Sequence, residues 1–153
     1  MTIGLLMFVA AGVGTIVEKE FRGKPAPSGP PAGGSADASI GGRRLIAYYF
    51  VGNVRCSSCR KIEEVSRRTI EETFRQELSG GRLRFRVVNV DRPENRHFLD
   101  EFRLEGSALV LVEMRDGKTA GSKNLPDVWA LVEDVPKLET YVRSEVRSAL
   151  ERI

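Results

Sequence analysis

The run Arg44-Leu-Ile-Ala-Tyr-Tyr-Phe-Val51 passes through Gly52-Asn-Val-Arg55 directly into Cys56-Ser-Ser-Cys59 and a long helical pattern. An aromatic and β-branched stretch of this length suits a buried strand. Both cysteines of the chain therefore stand where a strand hands over to a helix. The helix is expected over about Cys56 to Leu78, because Ile62, Val65, Ile70, Phe74 and Leu78 recur near helical spacing. Glu63/Arg67, Glu64/Arg68 and Glu71/Arg75 can support it as i,i+4 pairs. Tyr48 and Tyr49 are neighbours in the strand, so one should face each side of the sheet.

The punctuation after the helix continues the alternation. Ser79-Gly-Gly81 stops it, and Leu83 to Val90 reads as a second strand. Asp91-Arg-Pro-Glu then opens a short helix running through Phe102. Ala108 to Met114 is a third strand, Arg115-Asp-Gly-Lys118 a hairpin turn, and Thr119 to Lys123 its partner strand. From Leu125 the pattern is helical, with Trp129, Leu131, Val135, Leu138, Val142, Val146 and Leu150 as inward residues. Trp129 reads as core or as a cap on the sheet. Crossover rules make the first two strands parallel, and the hairpin is expected to add antiparallel edge strands. The sum is an α/β chain in the thioredoxin-fold order, a central mixed sheet flanked by helices.

Ahead of this domain the composition changes twice. Thr2 to Val17 carries no charge, which is a membrane signal, although it is shorter than the ~20 residues that span comfortably. It lacks the basic start and small-residue cleavage site of a secretory signal. Residues 1–18 are accordingly read as an uncleaved N-terminal membrane anchor, with a cleaved signal peptide as the alternative. Residues 19–42, rich in Pro and Gly from Gly23 onward, read as a linker, and 43–153 as the thioredoxin-like domain. Lys19, Arg22 and Lys24 favour holding that flank in the cytoplasm, yet an anchored dithiol protein is often exported. The exported side is the expectation.

Charge and cysteine content narrow the function classes. A net charge of +3 with Arg and Glu interspersed describes solvated helix faces rather than a nucleic-acid footprint. Two cysteines and one histidine, His97, cannot complete a four-ligand zinc site within one chain. His97, beside Phe98 in a charged short helix, reads as a surface residue. The pair Cys56 and Cys59 can be a redox dithiol, part of a metal or metalloid site, or two small buried residues. Its polar, basic surroundings argue against the last. A phosphatase loop is excluded, since the residue six beyond Cys56 is Ile62 and six beyond Cys59 is Val65. At a helix N-terminus Cys56 is the candidate nucleophile, with Arg55, Arg60 and Lys61 adding positive charge if they turn toward it. Cys59, one turn on, falls within the ~4.4–6.8 Å Cα range of a disulfide and is the candidate resolving thiol.

Taken together, YYFVGNVRCSSCRKIEE, VNVDRPENRHFLDEF and the VLV strand resemble a small group of bacterial thioredoxin-like proteins described as the ArsF-type subunit of a nitrophenyl-compound nitroreductase. The likeness covers about residues 44 to 150. It implies a thioredoxin fold, a working pair at Cys56 and Cys59, and a partner subunit. Nitroreductase activity is not carried over, because no nucleotide fingerprint such as G-x-G-x-x-G appears. Cys-Ser-Ser-Cys-Arg-Lys is also similar to arsenate-reductase-like transcription regulators of the same fold, which lack an N-terminal anchor. Two positions depart from ordinary thioredoxins. Ser107 or Ala108 stands where they have a cis-proline, an opening that suits soft metal or arsenic species at the thiolates. No acid in Ala47 to Val51 replaces their buried carboxyl beneath the second cysteine, which leaves Glu63 or water to take its proton. The functional expectation is a membrane-tethered thiol-disulfide oxidoreductase, requiring no cofactor, that acts on a protein disulfide or dithiol partner. The alternative is a redox-inactive adaptor or metalloid-binding subunit of a larger complex.

Overall fold

The computed structural model describes residues 42–153. The expected anchor, and the linker up to residue 41, lie outside the described residues. Within the described part, β1 (Arg43–Val51) leads to α1 (Ser57–Thr73), α2 (Arg75–Ser79) and β2 (Leu83–Asn89). A 3-10 turn at Pro93–Asn95 and α3 (His97–Glu101) follow, then β3 (Ala108–Arg115), β4 (Lys118–Asn124), α4 (Asp127–Ala130) and α5 (Val135–Arg152).

The four strands form one sheet in the order β2-β1-β3-β4. β2 runs parallel to β1, as a right-handed crossover through α1 requires, whereas β3 runs antiparallel to β1 and β4 antiparallel to β3. The hairpin thus differs from expectation in one respect. β3 lies inside the sheet against β1, and of the two hairpin strands β4 alone is an edge. Its sequence fits that place, because Ala108 to Val112 are all buried, as a strand covered on both faces demands. Asp116 (φ 49°) and Gly117 (φ 78°) make the two-residue turn between Arg115 and Lys118.

Strand alternation divides the core. Leu45, Ala47 and Tyr49 face α1 and α5, meeting Ile62 and Ile70 from one helix and Leu138, Val142 and Val146 from the other. Tyr48 and Phe50 turn the opposite way, toward Phe98 and Phe102 around α3. The two tyrosines face opposite sides as the period predicts.

Both long helices are interrupted. At Phe74 the backbone leaves helical geometry (φ −116°, ψ 40°) while its side chain is buried in the core. Thr69, Ile70 and Thr73 are β-branched and weaken the preceding turn. Of the three i,i+4 pairs, Glu63–Arg67 forms at 2.8 Å. Arg68 instead reaches Glu139 on α5 at 2.8 Å, and Glu71 and Arg75 fall on either side of the break. The terminal helix is likewise divided at residues 131–134. Pro136 has no N–H and fits only a first turn, and Asp134 caps that turn by accepting the Lys137 N–H at 3.2 Å.

Candidate functional site

The C-terminal end of β1 positions the pair. Cys56 is the N-cap of α1, in extended geometry (φ −71°, ψ 166°), and Cys59 lies in the first turn. The two are joined in a disulfide with Cα atoms 5.1 Å apart. Cys56 is exposed and Cys59 only 6% exposed. The Cys59 amide N–H donates to the Cys56 Sγ at 3.0 Å. A thiolate at Cys56 would thus meet an orphan helix amide and the positive end of the α1 dipole.

The neighbouring cations contribute less than a count of charges suggests. Arg55 is ion-paired with Glu63, whose side chain is 15% exposed, and Lys61 pairs with Glu133 at 3.2 Å. The Arg60 guanidinium donates to the Arg55 carbonyl at 3.4 Å. What favours a thiolate here is chiefly the helix terminus. Glu63 is held between Arg55 and Arg67, so it is not a free base for Cys59.

Beneath Cys59 the structure places a phenol. Tyr49 is fully buried, and its hydroxyl donates to the Cys59 carbonyl at 2.7 Å. Burial pushes its pKa up to about 12, against an opposing pull from Arg55. Tyr49 therefore stays protonated where thiols titrate and acts as a donor that fixes the first turn of α1. Tyr49→Phe should lose about 1–2 kcal/mol at neutral pH. In the unfolded chain the phenol ionises near ~10, below its folded value. Its contribution is whole below that pH and is lost as pH rises through about 12. Denaturant melts at pH 7 and pH 11 should show an alkaline loss in the parent that is smaller in the variant. Equal losses would contradict the assignment.

An Asn/Asp network pins the loop carrying Cys56. The Asp91 carboxylate accepts the Asn53 N–H at 2.6 Å, the Asn89 amide donates to the Asn53 side-chain oxygen at 2.8 Å, and Asn95 donates to the Asn89 carbonyl at 2.8 Å. Gly52 lies close beside it, and a Cβ there would stand 3.0 Å from the Asp91 carboxylate, which would have to shift to make room. None of these residues carries a sequence signal of its role.

A groove of about 370 Å³ is lined by Cys59 together with Gly106, Ser107, Ala108, Asn124, Pro126 and Trp129. Ser107 and Ala108 thus share this groove with Cys59. Trp129 corrects the sequence reading. It is 40% exposed rather than core, because α4 is a separate short helix that buries Val128 and turns the next residue outward. His97 is exposed as expected, its Nδ1 3.0 Å from the Glu94 carbonyl oxygen. Among the described residues, no group of three or more His, Cys, Asp or Glu is placed to hold a metal ion.

No family model matches the chain, and no curated protein matches it. Solved structures similar to it include thioredoxin from Fasciola hepatica, 18% identical over 71% of this chain and 80% of that one, with a TM-score of 0.40. The first two thioredoxin domains of Naumovozyma dairenensis Eps1p are 18% identical, with 74% and 42% covered and a TM-score of 0.42. A Thermus thermophilus thioredoxin is 17% identical, with 62% and 73% covered and a TM-score of 0.36. The thioredoxin-like fold rests on the strand order, the antiparallel β3 and the cysteine pair at the β1–α1 junction. The likeness to a nitroreductase subunit finds no matching family model, and what stands of it is the fold.

Proposed function

We propose that this chain is a thiol-disulfide oxidoreductase in which Cys56 is the nucleophile and Cys59 the resolving thiol. The observation that carries the reading is an exposed N-cap sulfur, served by a helix amide and joined to a covered one. In the reduced protein the Cys56 thiolate attacks a partner disulfide. A Cys56–partner S–S bond forms, the partner's S–S bond breaks, and one partner sulfur leaves as thiolate. Cys59, deprotonated to water, then attacks the Cys56 sulfur, closing the Cys56–Cys59 bond and expelling the second partner thiolate. Two electrons pass from the pair to the partner, and the reverse sequence oxidises a partner dithiol. Full-length protein supplied with a small dithiol should reduce the disulfides of insulin. Complete inactivity with accessible, ordinary thiols would leave the adaptor reading.

Membrane tethering is part of the proposal and rests on the uncharged run Thr2 to Val17, outside the described residues. Among the described residues no helix is long and apolar enough to cross a membrane. We place the dithiol domain on the exported side. A C-terminal reporter active only outside the cytoplasm should therefore be active, and an inactive one would reverse the topology. The ArsF-type likeness adds a partner subunit to this picture. Because the described core is built from residues after 43, a fragment of residues 43–153 should be soluble and folded by circular dichroism. An unfolded fragment beside a folded full chain would move the domain boundary.

A further inference from the structure

The groove beside the pair has a wall that sulfur exchange alone does not call for. Trp129 is the only tryptophan of the chain, yet it sits on the surface at this spot. Its place is fixed from both ends. Leu125 and Val128 are fully buried and anchor the segment, while the indole N–H donates to the Ser107 carbonyl at 3.2 Å. The polar edge of the ring is thus satisfied, and Trp129 lines the groove together with Pro126 and Ala108. Glu105 lines the same groove, is exposed, and has no ion pair among the described residues. Cys59 belongs to this wall, and its Cα is 5.1 Å from that of Cys56. A partner sulfur bonded to Cys56 is therefore held next to this groove, within reach of the residues that line it.

We infer that Trp129 selects the disulfides this protein accepts, favouring a partner cysteine followed by a large apolar or aromatic residue that seats against Trp129, Pro126 and Ala108. Glu105 disfavours an acidic residue at the same place. The inference rests on the redox reading above and adds a substrate class to it. Burying an apolar side chain against an aromatic wall discriminates by about tenfold in rate.

The test is a single turnover of pre-reduced full-length protein in detergent with disulfide-linked peptide dimers, the residue after each cysteine being Phe, Leu, Ser or Asp. Rates with Phe and Leu should exceed that with Ser by about tenfold, with Asp slowest. Trp129→Ala should bring the Phe and Leu rates down to that of Ser, whereas Trp129→Phe, which keeps an aromatic wall but not the N–H, should retain the preference. Glu105→Gln should raise the Asp rate. Equal rates for all four peptides, or a preference surviving Trp129→Ala, would overturn the inference while leaving the redox reading intact. No reaction with any peptide would overturn both.

Discussion

Cys59→Ser should trap its natural partner as a stable mixed disulfide, and Cys56→Ser should lower disulfide exchange by a factor on the order of 10³ or more, as loss of a nucleophile does in covalent catalysts generally. The asymmetry follows from the local geometry. Cys56 is exposed at the end of α1 with an amide aimed at its sulfur, while Cys59 is covered and can act only on a sulfur already brought to Cys56. On the proposed mechanism the first attack still occurs without Cys59 and resolution does not, so the adduct should accumulate. Non-reducing electrophoresis and mass spectrometry of the trapped species check this and name the partner. If Cys56→Ser traps adducts and Cys59→Ser does not, the order of attack is reversed.

The largest stability effect is expected at the opposite face of the sheet. Phe50 is fully buried, with its ring centroid 5.4 Å from Tyr48, 5.3 Å from Phe98 and 5.5 Å from Phe102. α3 has only five residues, so this aromatic cluster, rather than helix length, holds that layer. Phe50→Ala should cost about 3–5 kcal/mol, a large share of the ~5–15 kcal/mol that stabilises an ordinary domain. Urea unfolding should show a lower midpoint with a slope close to that of the parent. A loss under ~1 kcal/mol would mean the cluster contributes little.

The features legible in the sequence are those governed by short-range chemistry. The period of two put Tyr48 and Tyr49 on opposite faces, and the junction of Val51 with Cys56 placed one cysteine at a helix end and the other a turn inside it. Asp116-Gly117 marked the hairpin because both residues tolerate positive φ. What escaped depends on distant partners. Arg55 and Lys61 look like activating charges until Glu63 and Glu133 are seen to hold them. β3 looks like an edge until its pairing with β1 encloses it. Trp129 looks like core because apolar spacing says nothing about a helix that stops after four residues. Pro126 and Pro136 were the available signals for that division, the first opening α4 and the second forcing α5 to start anew.

Alkylation of the reduced protein across pH, followed residue by residue by mass spectrometry, tests the assignment of a working dithiol most directly. Cys56 should react with an apparent pKa below the ~8.5 of a free thiol and faster than Cys59 throughout the neutral range. Equal rates at the two cysteines, both titrating near ~8.5, would contradict a redox site at the α1 terminus.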